Sequence, residues 1–161
     1  MPAALQELSA PPGFIVDDEL RFNHDRLRRL FEMWRARRVD GRLPARGDFD
    51  VLEFRDFMGW LCIAEVLPGG EDLRYRLIGT NIVDRVGRDN TGKLVSETLP
   101  PEALRIYHGL LRCPVALKTH GEIGWRGRDF LYHETLLLPL ADDGETVDRF
   151  FVLMAIDRST P

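Results

Sequence analysis

Cysteine is scarce. Cys62 and Cys113 are the only two in 161 residues, far apart and without a Cys-x-x-Cys pair, so neither a disulfide framework nor a cysteine metal cluster is indicated. The four histidines, His24, His108, His120 and His133, form no His-x-x-x-His spacing, and no metal site is expected. Serine occurs only at positions 9, 96 and 159; none lies in a Gly-x-Ser-x-Gly elbow, and hydrolase triads have no support. No Gly-x-x-x-x-Gly-Lys-Ser/Thr loop is present, and the glycines at 87, 92, 124 and 127 read as turn residues. Long hydrophobic runs are missing too. No stretch approaches the roughly 20 apolar residues of a membrane helix, and no basic-then-apolar leader precedes the chain, so a cytoplasmic protein is expected. Lysine occurs only at Lys93 and Lys118.

What is present fits one globular domain. The apolar fraction is 44% and the charged fraction 30%, with a net charge of −4. The charge is unevenly spread. Nine arginines lie between Arg21 and Arg46, against only Asp25, Glu32 and Asp40. Genome composition can account for arginine over lysine; a basic face for an acidic partner or nucleic acid is the functional alternative. An acidic whole and no recognition motif count against nucleic acid.

Residues 1–16, with Pro2, Pro11, Pro12 and Gly13, read as an irregular lead-in. Residues 17–58 read as a helical segment. Asp17, Asp18 and Glu19 favour a helix start; Leu20, Leu27, Leu30, Phe31 and Trp34 follow at helical spacing, and Asp40-Gly41 stops the helix. A short helix capped by Asp48 or Asp50 runs to about Met58. From residue 59 the pattern turns to strands. Trp60–Leu67 and Leu73–Ile78 form a hairpin around Pro68–Asp72, the second strand alternating Leu73, Tyr75, Leu77 with Arg74, Arg76. A helical turn at Asn81–Val86 closes at Gly87. A longer helix opens at Pro100-Pro101, carries Leu104, Tyr107 and Leu111 as its stripe, and ends before Pro114. Three strands follow, over Val115–Ile123, Asp129–Leu140 and Val147–Ile156, with turns at Gly124–Gly127 and Asp142–Gly144. The order predicts an α+β fold, an antiparallel sheet with helices on one face.

That order resembles a PAS (Per-Arnt-Sim) domain. The run Leu138-Pro139-Leu140, Asp142-Asp143-Gly144 and the strand ending Ile156-Asp157-Arg158-Ser159-Thr160 looks like the family's last hairpin and its Asp-Ile-Thr-like exit, with Ile156 and Asp157 in inverted order. Tyr75–Thr80 running into Gly87–Gly92 is similar to a narrower bacterial group, common in alphaproteobacteria. Trp34, Arg38 and the segment Leu43-Pro44-Ala45-Arg46-Gly47-Asp48 fit the same group. The resemblance covers about residues 20–158. It implies a five-stranded antiparallel sheet with helices over a pocket on its concave face, plus the extra N-terminal amphipathic helix. It also implies a sensor or interaction module that dimerises through its outer sheet face or terminal helices. The chain stops at Pro161, soon after the exit where relatives join an effector, so output is expected in trans or through self-association.

On that frame Tyr75, Tyr107 and Tyr132 are candidate polar anchors of a mainly apolar pocket, with Leu77, Ile82, Leu111, Leu136 and Met154 as walls. Arg76 or Arg85 could hold a carboxylate or phosphate. The stripe Leu27, Leu30, Phe31 and Trp34 is the candidate dimer or partner surface, since such a stripe is costly to leave in water. The cofactor is undetermined. His108 lies on the helix that supplies the axial ligand in haem-binding relatives, but haem is disfavoured. The segment 87–91 lacks the cysteine that flavin photochemistry requires, which disfavours a flavin–cysteine adduct. The reading is therefore a sensor or interaction module rather than an enzyme. The enzymatic alternative is a ketosteroid-isomerase-like cone with Glu134, beside Tyr132, as pocket base.

Overall fold

A computed structural model describes residues 15–17, 19–125 and 128–158. Among these residues six strands form one antiparallel sheet: β1 (Ile15–Asp17), β2 (Leu61–Val66), β3 (Leu73–Ile78), β4 (Leu117–Trp125), β5 (Arg128–Leu140) and β6 (Arg149–Arg158), in the order β1-β4-β5-β6-β2-β3. The α+β expectation holds, with one strand more than the five foreseen. Helix α1 (Asp25–Ala36) precedes the hairpin; α2 (Thr80–Val86), α3 (Val95–Thr98) and α4 (Pro101–Arg112) lie between β3 and β4.

The centre of the sheet is apolar on both faces. Phe150, Phe151, Val152, Leu153, Ala155 and Ile156 of β6 are all buried, as expected of a strand covered from both sides. In register, Leu136 faces Leu153 and Leu138 faces Phe151, while Leu137 faces Val152 and Thr135 faces Met154. Even positions of β5 thus share one face with odd positions of β6, and the other face carries the reverse set. Helices α2, α3 and α4 cover the second face. Helix α1 and the aromatic turns after it cover the first.

Helix α1 docks through Leu27, Leu30 and Trp34, all buried. The Trp34 indole Nε1 donates to the carbonyl of Pro139 at 2.9 Å. Strand β4 pairs with β5 only as far as Leu137, and Pro139, which lacks an N–H, lies just past that limit, where proline is tolerated. The expected second helix is instead three 3-10 turns, Arg46–Asp48, Val51–Phe54 and Met58–Trp60. Their rings carry the packing. Phe49 and Phe54 meet Phe151 edge-on at 5.2 and 5.0 Å between centroids.

The helix starts later than its acidic lead suggested. Residues 1–14 and 18 lie outside the described residues, as do 126–127 of the expected Gly124–Gly127 turn and the exit after Arg158. Ile15 and Val16, expected in an irregular lead-in, pair with β4 as part of β1. Leu20 has φ +50°, which breaks any helix there. Asp17 organises a turn instead, accepting from the amides of Glu19 at 3.0 Å and Arg21 at 3.2 Å. This segment seals two buried charges. Lys118 and Glu134 are 2% and 1% exposed. The Lys118 Nζ lies 3.3 Å from Asp17 Oδ2 and 3.6 Å from Glu134 Oε1, and donates to the Arg21 carbonyl. Glu134 also accepts from the Asn23 amide at 3.1 Å.

One glycine is a steric requirement. A Cβ on Gly79 would fall 2.3 Å from the Gly59 carbonyl oxygen. This contact presses the start of α2 against the Met58–Trp60 turn, while the Gly79 amide donates to the Leu61 carbonyl.

Trp34→Ala removes a buried ring and its hydrogen bond, and is expected to destabilise the protein by about 3–5 kcal/mol in urea unfolding. Leu52→Ala, at an 80% exposed position, should stay within about 0.5 kcal/mol. A second pair of measurements concerns Asp17. Burial opposes its ionisation, but the Glu19 amide, Lys118 and the Arg21 amide outweigh it, so the folded pKa is lowered. The resulting stability is complete above the unfolded value of about 4 and is lost as pH falls through the folded one. Asp17→Asn should therefore unfold at lower urea than the wild type at pH 7, and the gap should narrow below about pH 4. A constant gap would show that the carboxylate charge is not what counts.

Candidate functional site

Between the sheet and helices α2, α3 and α4 lies a cavity of about 350 Å³. Its floor comes from one face of five strands: Cys62, Tyr75 and Ile78 on β2 and β3, Val152 and Met154 on β6, His133, Thr135 and Leu137 on β5, and Thr119 on β4. Its roof is Ile82 and Val86 of α2, Thr98 and Leu99 at the end of α3, and Ala103, Ile106 and Tyr107 of α4. The exposed side chains Arg88 and Glu122 stand at its rim, with half-buried Asn90 beside Arg88.

Tyr75, Ile82, Tyr107 and Met154, four of the expected pocket residues, line this cavity. The other four do not. Strand β3 carries an irregularity: Ile63 pairs with Leu77, but Ala64 pairs with Tyr75, so Arg76 is an extra residue. Such a bulge reverses the alternation beyond it. Ile78 therefore faces the cavity and Leu77 joins Ile63 on the opposite face. On α4 the buried stripe is Ala103, Ile106, Tyr107 and Leu110. Leu111 turns away toward the hairpin, where its Cδ1 would lie 3.5 Å from a Cβ on Gly70. Tyr132 and Leu136 are even positions of β5 and belong to the face covered by α1. The Tyr132 hydroxyl is 2.8 Å from His120 Nδ1. Glu134 shares that face, held by Lys118 and the Asn23 amide, and cannot serve as a base in the cavity. The ketosteroid-isomerase-like alternative loses its carboxylate.

The expected partner surface is also occupied. Leu27 and Leu30 are 0% exposed and Trp34 is 2% exposed, all against the chain's own sheet. Phe31 is half-buried, between Phe22 at 5.6 Å and Trp34 at 6.4 Å. The sheet face opposite the cavity is apolar and claims the stripe within one molecule.

Arginines of the N-terminal segment have local work. Arg26 lies over the Trp60 ring at 4.7 Å, Arg37 over Phe49 at 4.7 Å, Arg38 over Trp34 at 5.1 Å and Arg46 over Phe54 at 5.2 Å. Flat guanidinium groups suit ring faces better than ammonium groups do. Others meet carboxylates, as Arg28 meets Asp25 and Glu32 and Arg29 meets Asp56. Arg76 pairs with Glu65 at 3.2 Å, and Arg85 lies 6.0 Å from the Trp60 ring; neither lines the cavity.

The cavity's chemistry is mostly neutral. Burial pushes the Cys62 thiol and the Tyr75 hydroxyl each up to about 12, and the Tyr107 hydroxyl is raised well above the usual phenol value for the same reason. All three are protonated at neutral pH. His133, 1% exposed, has its Nδ1 2.9 Å from the Thr135 hydroxyl. His108 does not line the cavity; its Nε2 lies 2.7 Å from the Glu71 carbonyl, so it is not placed to ligate a haem there. The cysteine that does line it comes from β2 rather than from segment 87–91. Among the described residues no group of three or more His, Cys, Asp or Glu could hold a metal ion, and no helix is long and apolar enough to cross a membrane.

The profile of the PAS domain matches residues 22–155. The chain belongs to the PAS domain family. Among solved structures it is similar to one titled as an RNA-binding Light-Oxygen-Voltage receptor, at 14% identity and TM-score 0.50. The match covers 94% of this chain and 47% of that one, so this PAS chain spans about half the receptor's length. At such identity the likeness is one of fold. A search of curated proteins finds no match. Within the PAS fold, Cys62, Thr119, His133 and Thr135 are among the cavity residues the sequence reading missed. Strict alternation from Leu137 would have found the pair on β5.

Thiol titration checks the burial. Native protein is expected to react with a disulfide reagent at half-buried Cys113 and not at Cys62, whose thiol is buried and protonated. Two equivalents should appear in denaturant. Two fast equivalents in native protein would mean that the cavity opens readily.

Proposed function

We propose that this PAS domain is a sensor and interaction module that binds a small molecule in the cavity and passes its occupancy to a partner protein in trans. The observation that carries this is the cavity itself. It is large enough for a small ligand, and it lies over strands whose opposite face holds α1. Adjacent residues of β4 and β5 belong to the two sides: Thr119, His133 and Thr135 face the cavity, Lys118 and Glu134 face the N-terminal segment. A ligand that favours one placement of these strands changes how that segment docks, and so what a partner meets. Homodimerisation belongs to the same proposal. The burial of Leu27, Leu30 and Trp34 directs it to other surfaces, or to a state in which α1 has moved.

Native mass spectrometry of the purified protein is the test. A discrete small mass, retained by wild type and lost in Ala103→Phe, is the expected outcome, because the added ring enters the cavity from α4. Thermal unfolding of the variant should shift by no more than a few degrees, since the ring fills space already empty. If no mass is retained and no small molecule can be bound, the sensing half of the proposal fails. The same spectra give the oligomeric state.

A further inference from the structure

The distribution of polar atoms in the cavity narrows the ligand class, and this step rests on the proposed ligand-binding function. The floor of the cavity carries polar side chains on strands at both of its sides, β3 and β4–β5. On the β2–β3 side stand Cys62 and Tyr75, with Tyr107 of α4 in the roof. Tyr107 is 4% exposed, its ring held edge-on against Phe150 at 5.2 Å. On the β4–β5 side Thr119 and Thr135 face each other in register, with His133 bonded to Thr135. Ile78, Ile82, Leu99, Ile106 and Val152 supply apolar lining.

Two of these polar groups are incomplete. Tyr75 lies near Thr98, whose hydroxyl donates to the Leu94 and Val95 carbonyls, and Thr135 has His133. The hydroxyls of Tyr107 and Thr119 make no hydrogen bond to any described residue, although Thr119 is only 2% exposed. Both hydroxyls line a cavity able to hold what they lack, and Asn90 Oδ1, also at the cavity, is buried without a hydrogen-bond partner. Charge adds a second constraint. Among the described residues no buried one lining the cavity is a carboxylate; Glu122 at the rim is exposed, and the other charged rim residue, Arg88, is a cation. A buried ammonium ligand would have no counter-ion, which is prohibitive.

We infer that the cavity takes a molecule that buries no positive charge, with a rigid apolar body and two hydroxyl-type groups, one meeting Tyr107 and the other Thr119. Strands β3 and β4 stand four strand spacings apart, roughly 19 Å at about 4.8 Å each, and the tyrosines reach inward from one side. An elongated ligand of about two fused rings spans what is left.

The test uses probes of one shape on the full chain at pH 7, with affinity read by calorimetry: 2,6-dihydroxynaphthalene, 2-naphthol, 2-methylnaphthalene and 2-naphthylmethylammonium. Affinity should fall in that order, with no detectable binding of the ammonium compound. Tyr107→Phe and Thr119→Val keep the shape of the wall and remove one hydroxyl each. Each should weaken 2,6-dihydroxynaphthalene by about three- to tenfold and leave 2-methylnaphthalene unchanged. Two variants guard against one failing to fold. If 2-methylnaphthalene or the ammonium compound binds as tightly as the diol, or if neither variant discriminates, the inferred ligand class is wrong while the cavity remains a binding site. If none of the four binds to wild type, this inference falls, whereas the ligand-binding proposal fails only if the mass spectra also show no retained small molecule.

Discussion

A sheet that is apolar on both faces cannot stand with one face in water, and the rest of this structure follows from that constraint. Strands β5 and β6 present Leu136, Leu138, Phe151 and Leu153 on one side and Leu137, Phe150 and Val152 on the other, all buried. Helix α1 with its aromatic turns closes the first side. The helices between β3 and β4 close the second, but over a floor containing Thr119, His133 and Thr135 they leave space unfilled. Burial of this extent supplies the main drive for folding, and the cavity is what remains where the roof does not reach the floor.

Two sets of interactions adapt polar groups to that arrangement. Guanidinium groups lie on the rings at the margin of the α1 side, so arginine richness there is partly a packing feature. The Asp17–Lys118–Glu134 group lies deeper. Its net contribution to stability is not implied by its presence, since buried ion pairs can cost as much as they return. It does specify which segment covers β4 and β5, because no apolar segment could satisfy Lys118.

The chain order of β2 to β6, the helical middle and the family were legible because they depend on hydrophobic period and on glycine and proline punctuation, both local. The hairpin strand Leu73–Ile78 was found to the residue. What was not legible depended on tertiary events. An extra residue at Arg76 exchanges Leu77 for Ile78 at the cavity, and alternation alone gives no warning of it. The α4 stripe includes Ala103 and Ile106 because the roof meets the sheet closely there, so small side chains count as much as large ones. The α1 stripe was read correctly as apolar, but only the sheet's second apolar face reveals that its cover is internal. Glu134 and Tyr132 looked like site residues because a carboxylate beside a tyrosine is chemically suggestive, and the period of two then put them on the wrong side.

Lys118 has a further consequence for where this domain begins. The family profile starts at residue 22, yet the ammonium group of Lys118 depends on Asp17 and on the Arg21 carbonyl. A fragment cut at the profile's boundary would keep every recognisable PAS feature and leave a buried cation with Glu134 as its sole remaining partner among these groups. The residues that cover Lys118 thus reach beyond those the family profile matches, by β1 and the turn that follows it.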